Sequence, residues 1–88
     1  MRSEKELFRL AKDMVFIEDK LQEGCNSMVK EELTVEAEKI RRTLLEKNYD
    51  VNTFLYYKDL YKTMTIDEYY EFIMFLGELD RSEKNEHR

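Results

Sequence analysis

No proline interrupts this sequence, and its only glycines are Gly24 and Gly77. Proline and glycine most often end helices and form turns, so their scarcity permits long helices and disfavours a chain of short strands. Charged residues make up 40% of the chain and hydrophobic residues 42%, a balance typical of amphipathic helices rather than of disorder. The 88 residues are therefore predicted to form one all-α domain.

The first helix is predicted over residues 4–23. Ser3 and Glu6 have the spacing of a capping box, in which each side chain bonds the other's backbone N–H, and Gly24 supplies a C-terminal cap. Between these ends the apolar residues recur at steps of three and four, the period of one helix face. They are Leu7, Leu10, Met14, Ile17 and Leu21.

The second helix is predicted over residues 27–47, with Asn26 or Ser27 as its N-terminal cap. A break at Leu33–Thr34 is the alternative, because the residues after Thr34 could also begin a helix. The apolar period passes through this point, which favours a continuous helix.

The third and fourth helices are predicted over residues 51–62 and 66–80. Thr65 and Glu68 form a second capping box, and Met64 and Tyr69 hold the positions of a hydrophobic staple across it. Short links between the helices predict antiparallel neighbours, and therefore a small antiparallel bundle of four helical segments. Residues 81–88 contain no apolar side chain, so they are predicted to be a disordered, charged tail after the domain of residues 1–80.

The chain has 15 basic and 20 acidic side chains, a net charge of −5. This charge argues against binding to nucleic-acid phosphates and to anionic membranes, and it favours a partner protein with a basic or mixed basic-apolar patch. No apolar run approaches the roughly 20 residues that cross a bilayer, and the first ten residues lack the apolar segment of a signal peptide. With a single cysteine and no such signal, the expected location is the cytoplasm.

No catalytic, metal or cofactor motif is recognisable. The only histidine, His87, lies in the predicted tail, and Cys25 lies beside a predicted helix cap among acidic neighbours, which disfavour a thiolate. Residues 50–52 open like a calcium-binding loop, but Leu55 stands where glycine is required and Tyr61 where glutamate is required. The sequence thus predicts a protein that is not an enzyme and that has no cofactor.

One basic cluster lies near the end of the second helix. It is formed by Lys39, Arg41, Arg42 and Lys47. These cations either contact a phosphate or an acidic partner, or complement the helix dipole at a solvated C-terminus, and the second interpretation is favoured.

The tyrosines divide into two groups on a helical wheel. Tyr57, Tyr61 and Tyr69 share the apolar side and are predicted to lie in or beside the core, with their hydroxyls reaching solvent. Other rings lie off that side among carboxylates, and exposed aromatic residues are typical anchors of protein interfaces. The predicted partner-binding residues are Tyr56, Asp59, Asp67, Glu68, Tyr70, Glu71 and Phe75.

The favoured hypothesis is a small acidic protein-binding module that inhibits or modulates a partner. Antitoxins, immunity proteins and phage-encoded inhibitors share this size and charge, which suggests a phage or mobile-element setting. One alternative is a nucleic-acid-linked transcriptional regulator or a DNA mimic. A second alternative is an oligomerising structural module of helices. The expected state is a monomer or a homodimer.

Overall fold

A computed structural model describes residues 3–86, with side chains described for residues 3–82. Four α-helices fill this range, and they are α1 (Glu4–Glu23), α2 (Ser27–Glu46), α3 (Val51–Thr63) and α4 (Ile66–Glu86). No strand occurs among the described residues. The all-α bundle of four helical segments is confirmed.

The central element of the bundle is α1, because the other three helices make their most extensive contacts with it. Lys47 at the end of α2 and Asp80 in α4 both bond the first turn of α1, so α2 and α4 run antiparallel to α1. In α3, the hydroxyl of Tyr57 and the ammonium of Lys58 reach carboxylates at opposite ends of α1. The side chains of α3 therefore span most of the length of α1.

Phe8 of α1 lies at the centre of the core and has no exposed surface. Its ring centroid lies 4.9–6.2 Å from the centroids of four other aromatic rings, those of Tyr57, Tyr61, Tyr69 and Phe72. The narrow apolar stripe predicted for the first helix leaves Phe8 out. Since three helices surround α1, it buries a wider arc than a helix with one neighbour, and that arc includes Phe8 and Val15.

The first turn of α1 has its N–H groups bonded by side chains from three places in the chain. A helix leaves its first four N–H groups without partners inside the helix. Here the N–H of Ser3 donates to the hydroxyl of Tyr49 at 3.2 Å. The N–H groups of Glu4 and Lys5 donate to the carboxylate of Asp80 at 2.9 and 3.2 Å. Ser3 Oγ accepts from the N–H of Glu6 at 3.1 Å and donates to Asp80 at 2.8 Å.

Half of the predicted capping box at Ser3 is therefore wrong. Glu6 does not bond back to the N–H of Ser3; its carboxylate pairs with Lys47 at 2.7 Å and accepts from the hydroxyl of Tyr49. The hydrogen bond from Lys47, and next that from Tyr49, hold the pKa of Glu6 below its ordinary value. Burial, and next the bond to Glu6, raise the pKa of Tyr49 to about 12. A tertiary network has replaced the local reciprocal bond.

The second helix is continuous through Leu33–Thr34. The hydroxyl of Thr34 donates to the carbonyl of Lys30 at 2.8 Å, so this side chain is satisfied within the helix and does not start a new one. Asn26 caps the helix, with its side chain accepting from the N–H of Val29 at 2.9 Å. The continuous interpretation is confirmed.

The end of α2 is a Schellman motif, in which two N–H groups beyond the helix bond back to carbonyls of its last turn. The N–H of Tyr49 donates to the carbonyl of Leu44 at 2.9 Å, and the N–H of Asn48 donates to that of Leu45 at 3.2 Å. Asn48 has φ 55°, in the left-handed region. The side chains of Tyr49 and Leu44 are both buried, which adds the apolar contact that accompanies this motif.

The corner between α3 and α4 forms as predicted. Thr65 N–H donates to the Glu68 carboxylate at 2.8 Å, and Glu68 N–H donates to Thr65 Oγ1 at 3.2 Å. Met64 and Tyr69, the expected staple residues, are both partly buried against the core. At the other end of α3, Asp50 caps the helix by accepting from the N–H of Thr53.

The fourth helix does not end at Asp80, as expected, but continues to Glu86. Residues 81–86 of the predicted disordered tail are therefore helical. No proline or glycine follows Gly77, and arginine, glutamate and lysine are good helix formers, so nothing in the sequence stops the helix where the core ends. His87 and Arg88, the rest of that tail, lie outside the described residues.

We expect Asp80→Ala to lower the free energy of unfolding by about 2 kcal/mol, because it leaves the N–H groups of Glu4 and Lys5 without acceptors. Asp80→Asn should cost about 1 kcal/mol, since an amide keeps one acceptor but no charge at the helix N-terminus. Urea unfolding followed by circular dichroism measures both values. The control is Glu78→Ala, an exposed carboxylate of the same helix. An equal loss from Glu78→Ala would contradict the role of Asp80.

We expect Asn48→Ala to lower the free energy of unfolding by about 1 kcal/mol, because alanine is strained in the left-handed region. Asn48→Gly should lose no stability, since glycine adopts positive φ freely. Asn52→Ala, at an exposed asparagine in the first turn of α3, is the matched control and should be near neutral. The same urea titration tests the three variants, and similar losses for Asn48→Gly and Asn48→Ala would rule out this explanation.

Candidate protein-docking surface on the last two helices

The helices α3 and α4 form an antiparallel hairpin held together by aromatic rings. The ring centroids of Tyr57 and Phe72 lie 5.9 Å apart, and those of Tyr61 and Tyr69 lie 5.8 Å apart. Both pairs meet edge to face, the arrangement that aromatic quadrupoles prefer. Since Phe8 contacts all four rings, the hairpin is attached to the core along its inner side.

Three exposed rings lie next to core rings. The centroid of the Tyr56 ring lies 5.9 Å from that of Tyr57, that of the Phe75 ring lies 6.1 Å from that of Phe72, and that of the Tyr70 ring lies 5.4 Å from that of Tyr69. Tyr56 is 61% exposed and Phe75 is 52% exposed. Because Tyr57 and Phe72 contact each other, Tyr56 and Phe75 lie at the two ends of one row of four contacting rings that crosses from α3 to α4. We call the region around these two exposed rings the Tyr56–Phe75 surface.

Carboxylates surround the Tyr56–Phe75 surface. Asp59 lies one turn after Tyr56 on α3, and Glu71 lies one turn before Phe75 on α4, positions that are neighbours on a helix surface. Glu68 lies one turn further back, where it caps α4. All three are exposed. Five of the seven residues that the sequence predicted for partner binding thus belong to this region, and they are Tyr56, Asp59, Glu68, Glu71 and Phe75.

Tyr70 lies on a different side of α4 from Phe75. It is 62% exposed, but it lies roughly 140° around the axis of α4 from Phe75. Its ring lies beside Ile66 in a groove that also includes Val15 of α1. Asp67 lies one turn before both Tyr70 and Glu71, between the two regions. The predicted role of all seven residues in binding stays a prediction, but only a part of the set can contact one flat partner.

Local charge on this side of the molecule is strongly negative. Residues 51–80 contain six carboxylates and only Lys58 and Lys62 as cations, which gives a net charge of −4. Lys58 is mostly buried and pairs with Glu18 at 2.8 Å, so its charge is already compensated. Of the six carboxylates, Asp80 is occupied by the first turn of α1. The others are exposed and can attract a cationic partner.

An apolar groove, which the sequence interpretation did not identify, lies between α2 and α3. It has a volume of about 590 Å³, and Met14 and Phe54 lie among its lining residues. The side chains of Leu45, Val51 and Leu55 are exposed around it. The groove depends on how α2 and α3 lie relative to each other, which no local pattern indicates.

No group of three or more histidine, cysteine, aspartate or glutamate side chains among the described residues is arranged to hold a metal ion. None of the helices, over the range that the structure describes, is both long enough and apolar enough to cross a membrane.

Tyr57 connects the Tyr56–Phe75 surface to the core. Its ring is buried, and its hydroxyl donates to the Glu4 carboxylate at 2.9 Å. The hydroxyl was expected to reach solvent, and it bonds to α1 instead. Burial, and next the hydrogen bond to Glu4, raise the pKa of Tyr57 above its ordinary value. The neutral phenol is therefore the form that the fold requires.

We expect Tyr57→Phe to lower the free energy of unfolding at neutral pH by about 1 kcal/mol, through loss of the bond to Glu4. The pKa of Tyr57 is higher in the folded chain than in the unfolded chain, where it is 10.0. The contribution of Tyr57 to the free energy of unfolding is therefore fully present below pH 10.0 and is lost as the pH rises above that value. The difference between wild type and variant should then shrink. Urea unfolding at a series of pH values from about 7 to 11 measures it. A difference that stays constant with pH would contradict the assignment.

Comparison of the chain with protein-family models, with curated proteins and with solved structures gives no match.

Proposed function

We propose that this chain is a protein-binding module that docks through the Tyr56–Phe75 surface onto a basic site of a partner protein, and so inhibits or modulates that partner. The observation that carries the proposal is the pair of exposed rings on either side of the Tyr57–Phe72 contact. Tyr56 and Phe75 expose more than half of their surface, yet each contacts a ring of the core cluster around Phe8.

Rigid support is what makes such rings effective anchors. Tyrosine and phenylalanine bury a large area on binding, and each has few rotatable bonds to immobilise. Here Tyr57 and Phe72, which contact the exposed rings, are themselves fixed by edge-to-face contacts with Phe8. The entropy cost of ordering Tyr56 and Phe75 in a complex is thereby reduced.

The carboxylates determine which partner fits. Asp59 and Glu71 lie exposed beside the rings, and the net charge of residues 51–80 is −4, as counted above. Complementary charge increases the association rate and disfavours acidic partners by repulsion. A partner with apolar pockets ringed by lysine or arginine matches this surface, and a cationic site that normally binds an anionic substrate is the kind of target that such a module blocks.

The first test is affinity capture from the lysate of the native host, with partners identified by mass spectrometry and the affinity of each then measured with purified proteins. We expect the double variant Tyr56→Ala, Phe75→Ala to bind about a hundredfold more weakly, since each anchor contributes about 1–2 kcal/mol. Tyr70→Ala is the matched control, because that ring is similarly exposed and also contacts a core ring, that of Tyr69, but lies on another side of α4 from Phe75. Circular dichroism confirms that each variant is folded.

Two outcomes would contradict the proposal. One is unchanged affinity of the folded double variant, and the other is a larger loss from Tyr70→Ala than from the double variant. The contribution of the carboxylates is tested separately, by the double variant Asp59→Asn, Glu71→Gln. This variant should bind its partner at a lower association rate that depends less on salt, with a smaller change in the dissociation rate.

A further inference from the structure

The outward side of α2 has apolar side chains that nothing in the described chain covers. Leu45 is 80% exposed, Met28 72% and Val35 52%. They lie on a series of positions with steps of three and four, the spacing with which one helix packs along another. The series has six positions, all of them exposed, and they are Met28, Glu31, Val35, Glu38, Arg42 and Leu45.

Charge along α2 is divided between its two halves. Residues 27–38 contain four glutamates and Lys30, a net charge of −3, whereas residues 39–46 contain three cations and Glu46, a net charge of +2. This distribution agrees with the helix dipole, but it also makes the outer side of α2 complementary to itself when it is reversed.

Two charged residues on this side have no ionic partner among the described residues. Glu38 pairs with Arg41 at 2.7 Å, and Glu36 pairs with Lys39 at 3.3 Å, both within α2. Glu31 and Arg42 take part in none of the ion pairs found in the range 3–82. They lie on the same outer series as the exposed apolar residues.

We propose that this side of α2 is a homodimer interface, on which α2 of a second copy lies antiparallel. An alignment centred at the level of Glu36 and Ala37 places Met28 opposite the second copy's Leu45, and Glu31 opposite the second copy's Arg42. Each contact occurs twice because the arrangement has a two-fold axis. A parallel arrangement would instead place the acidic halves against each other, so charge selects the antiparallel one.

The expected dimer is weak. A helix of 20 residues is about 30 Å long, and a single pair of such helices buries less surface than a permanent dimer usually does. Each copy also has a net charge of −5, which opposes association at long range. The dimer should therefore form in a concentration-dependent way, with the local charge pairs fixing the register. It leaves the Tyr56–Phe75 surface on α3 and α4 free.

Sedimentation equilibrium on the full chain over a range of concentrations measures the dimer dissociation constant and tests the inference. Variants with a reversed charge at Glu31 or Arg42 are compared with wild type. Glu31→Arg alone and Arg42→Glu alone should each weaken dimerisation about tenfold, because each puts like charges together at two places. An equimolar mixture of the two variants should form a heterodimer about as tightly as wild type, since every contact is again between opposite charges. Glu31→Arg changes the net charge of each copy from −5 to −3, which by overall charge alone would favour dimerisation, so the weakening expected of this variant is specific to the charge pair.

A matched pair of apolar variants locates the interface. Leu45→Ser should weaken the dimer, whereas Ile66→Ser, at an equally exposed apolar residue on α4, should leave it unchanged. A chain that stays monomeric at all concentrations overturns the inference. So does a dimer that Ile66→Ser disrupts, or a mixture of the charge variants that shows no gain over either variant alone. The double variant Tyr56→Ala, Phe75→Ala should dimerise normally, so this result is separate from the proposed docking function.

Discussion

The bonds around the first turn of α1 are the interaction on which the rest of the fold depends. The first turn of a helix leaves N–H groups without partners inside the helix, and in α1 the residues that carry them are only partly exposed, so side chains accept from them. Asp80 of α4 and Tyr49 of the link after α2 do so, together with Ser3 itself. The same contacts fix the position of both neighbouring helices. Satisfying the backbone of one helix thus determines the arrangement of three elements.

The aromatic cluster connects this centre to the surface. Phe8 contacts rings from α3 and α4, and two of those, Tyr57 and Phe72, contact the exposed Tyr56 and Phe75. Tyr57 also bonds Glu4 in the first turn of α1. The proposed docking surface is therefore not an independent patch, because its support consists of residues that also hold the core together. A substitution at Tyr57 is expected to affect both the stability of the fold and the position of the Tyr56 ring.

Local sequence signals predicted most of the helices, and long-range contacts account for most of the differences. The capping residues Asn26 and Thr65 act on N–H groups within three positions, so the start of α2 and of α4 could be read from the sequence. Asp80 accepts from residues at the other end of the chain, and no spacing indicates that. The exposure of Tyr56, Tyr70 and Phe75 followed from their positions on a helical wheel. Their separation into two regions depends on how α3 lies against α4, which only the three-dimensional arrangement shows.

The acceptor for Ser3 and Glu4 lies 76–77 positions further along the chain. During synthesis α1 is made first, yet its first turn stays incomplete until Asp80 has left the ribosome. Contacts between such distant positions slow folding, because the intervening chain must be ordered before they can form. A chain that ends before Asp80 lacks this closure, so the first turn of α1 can be completed only after most of α4 has been made.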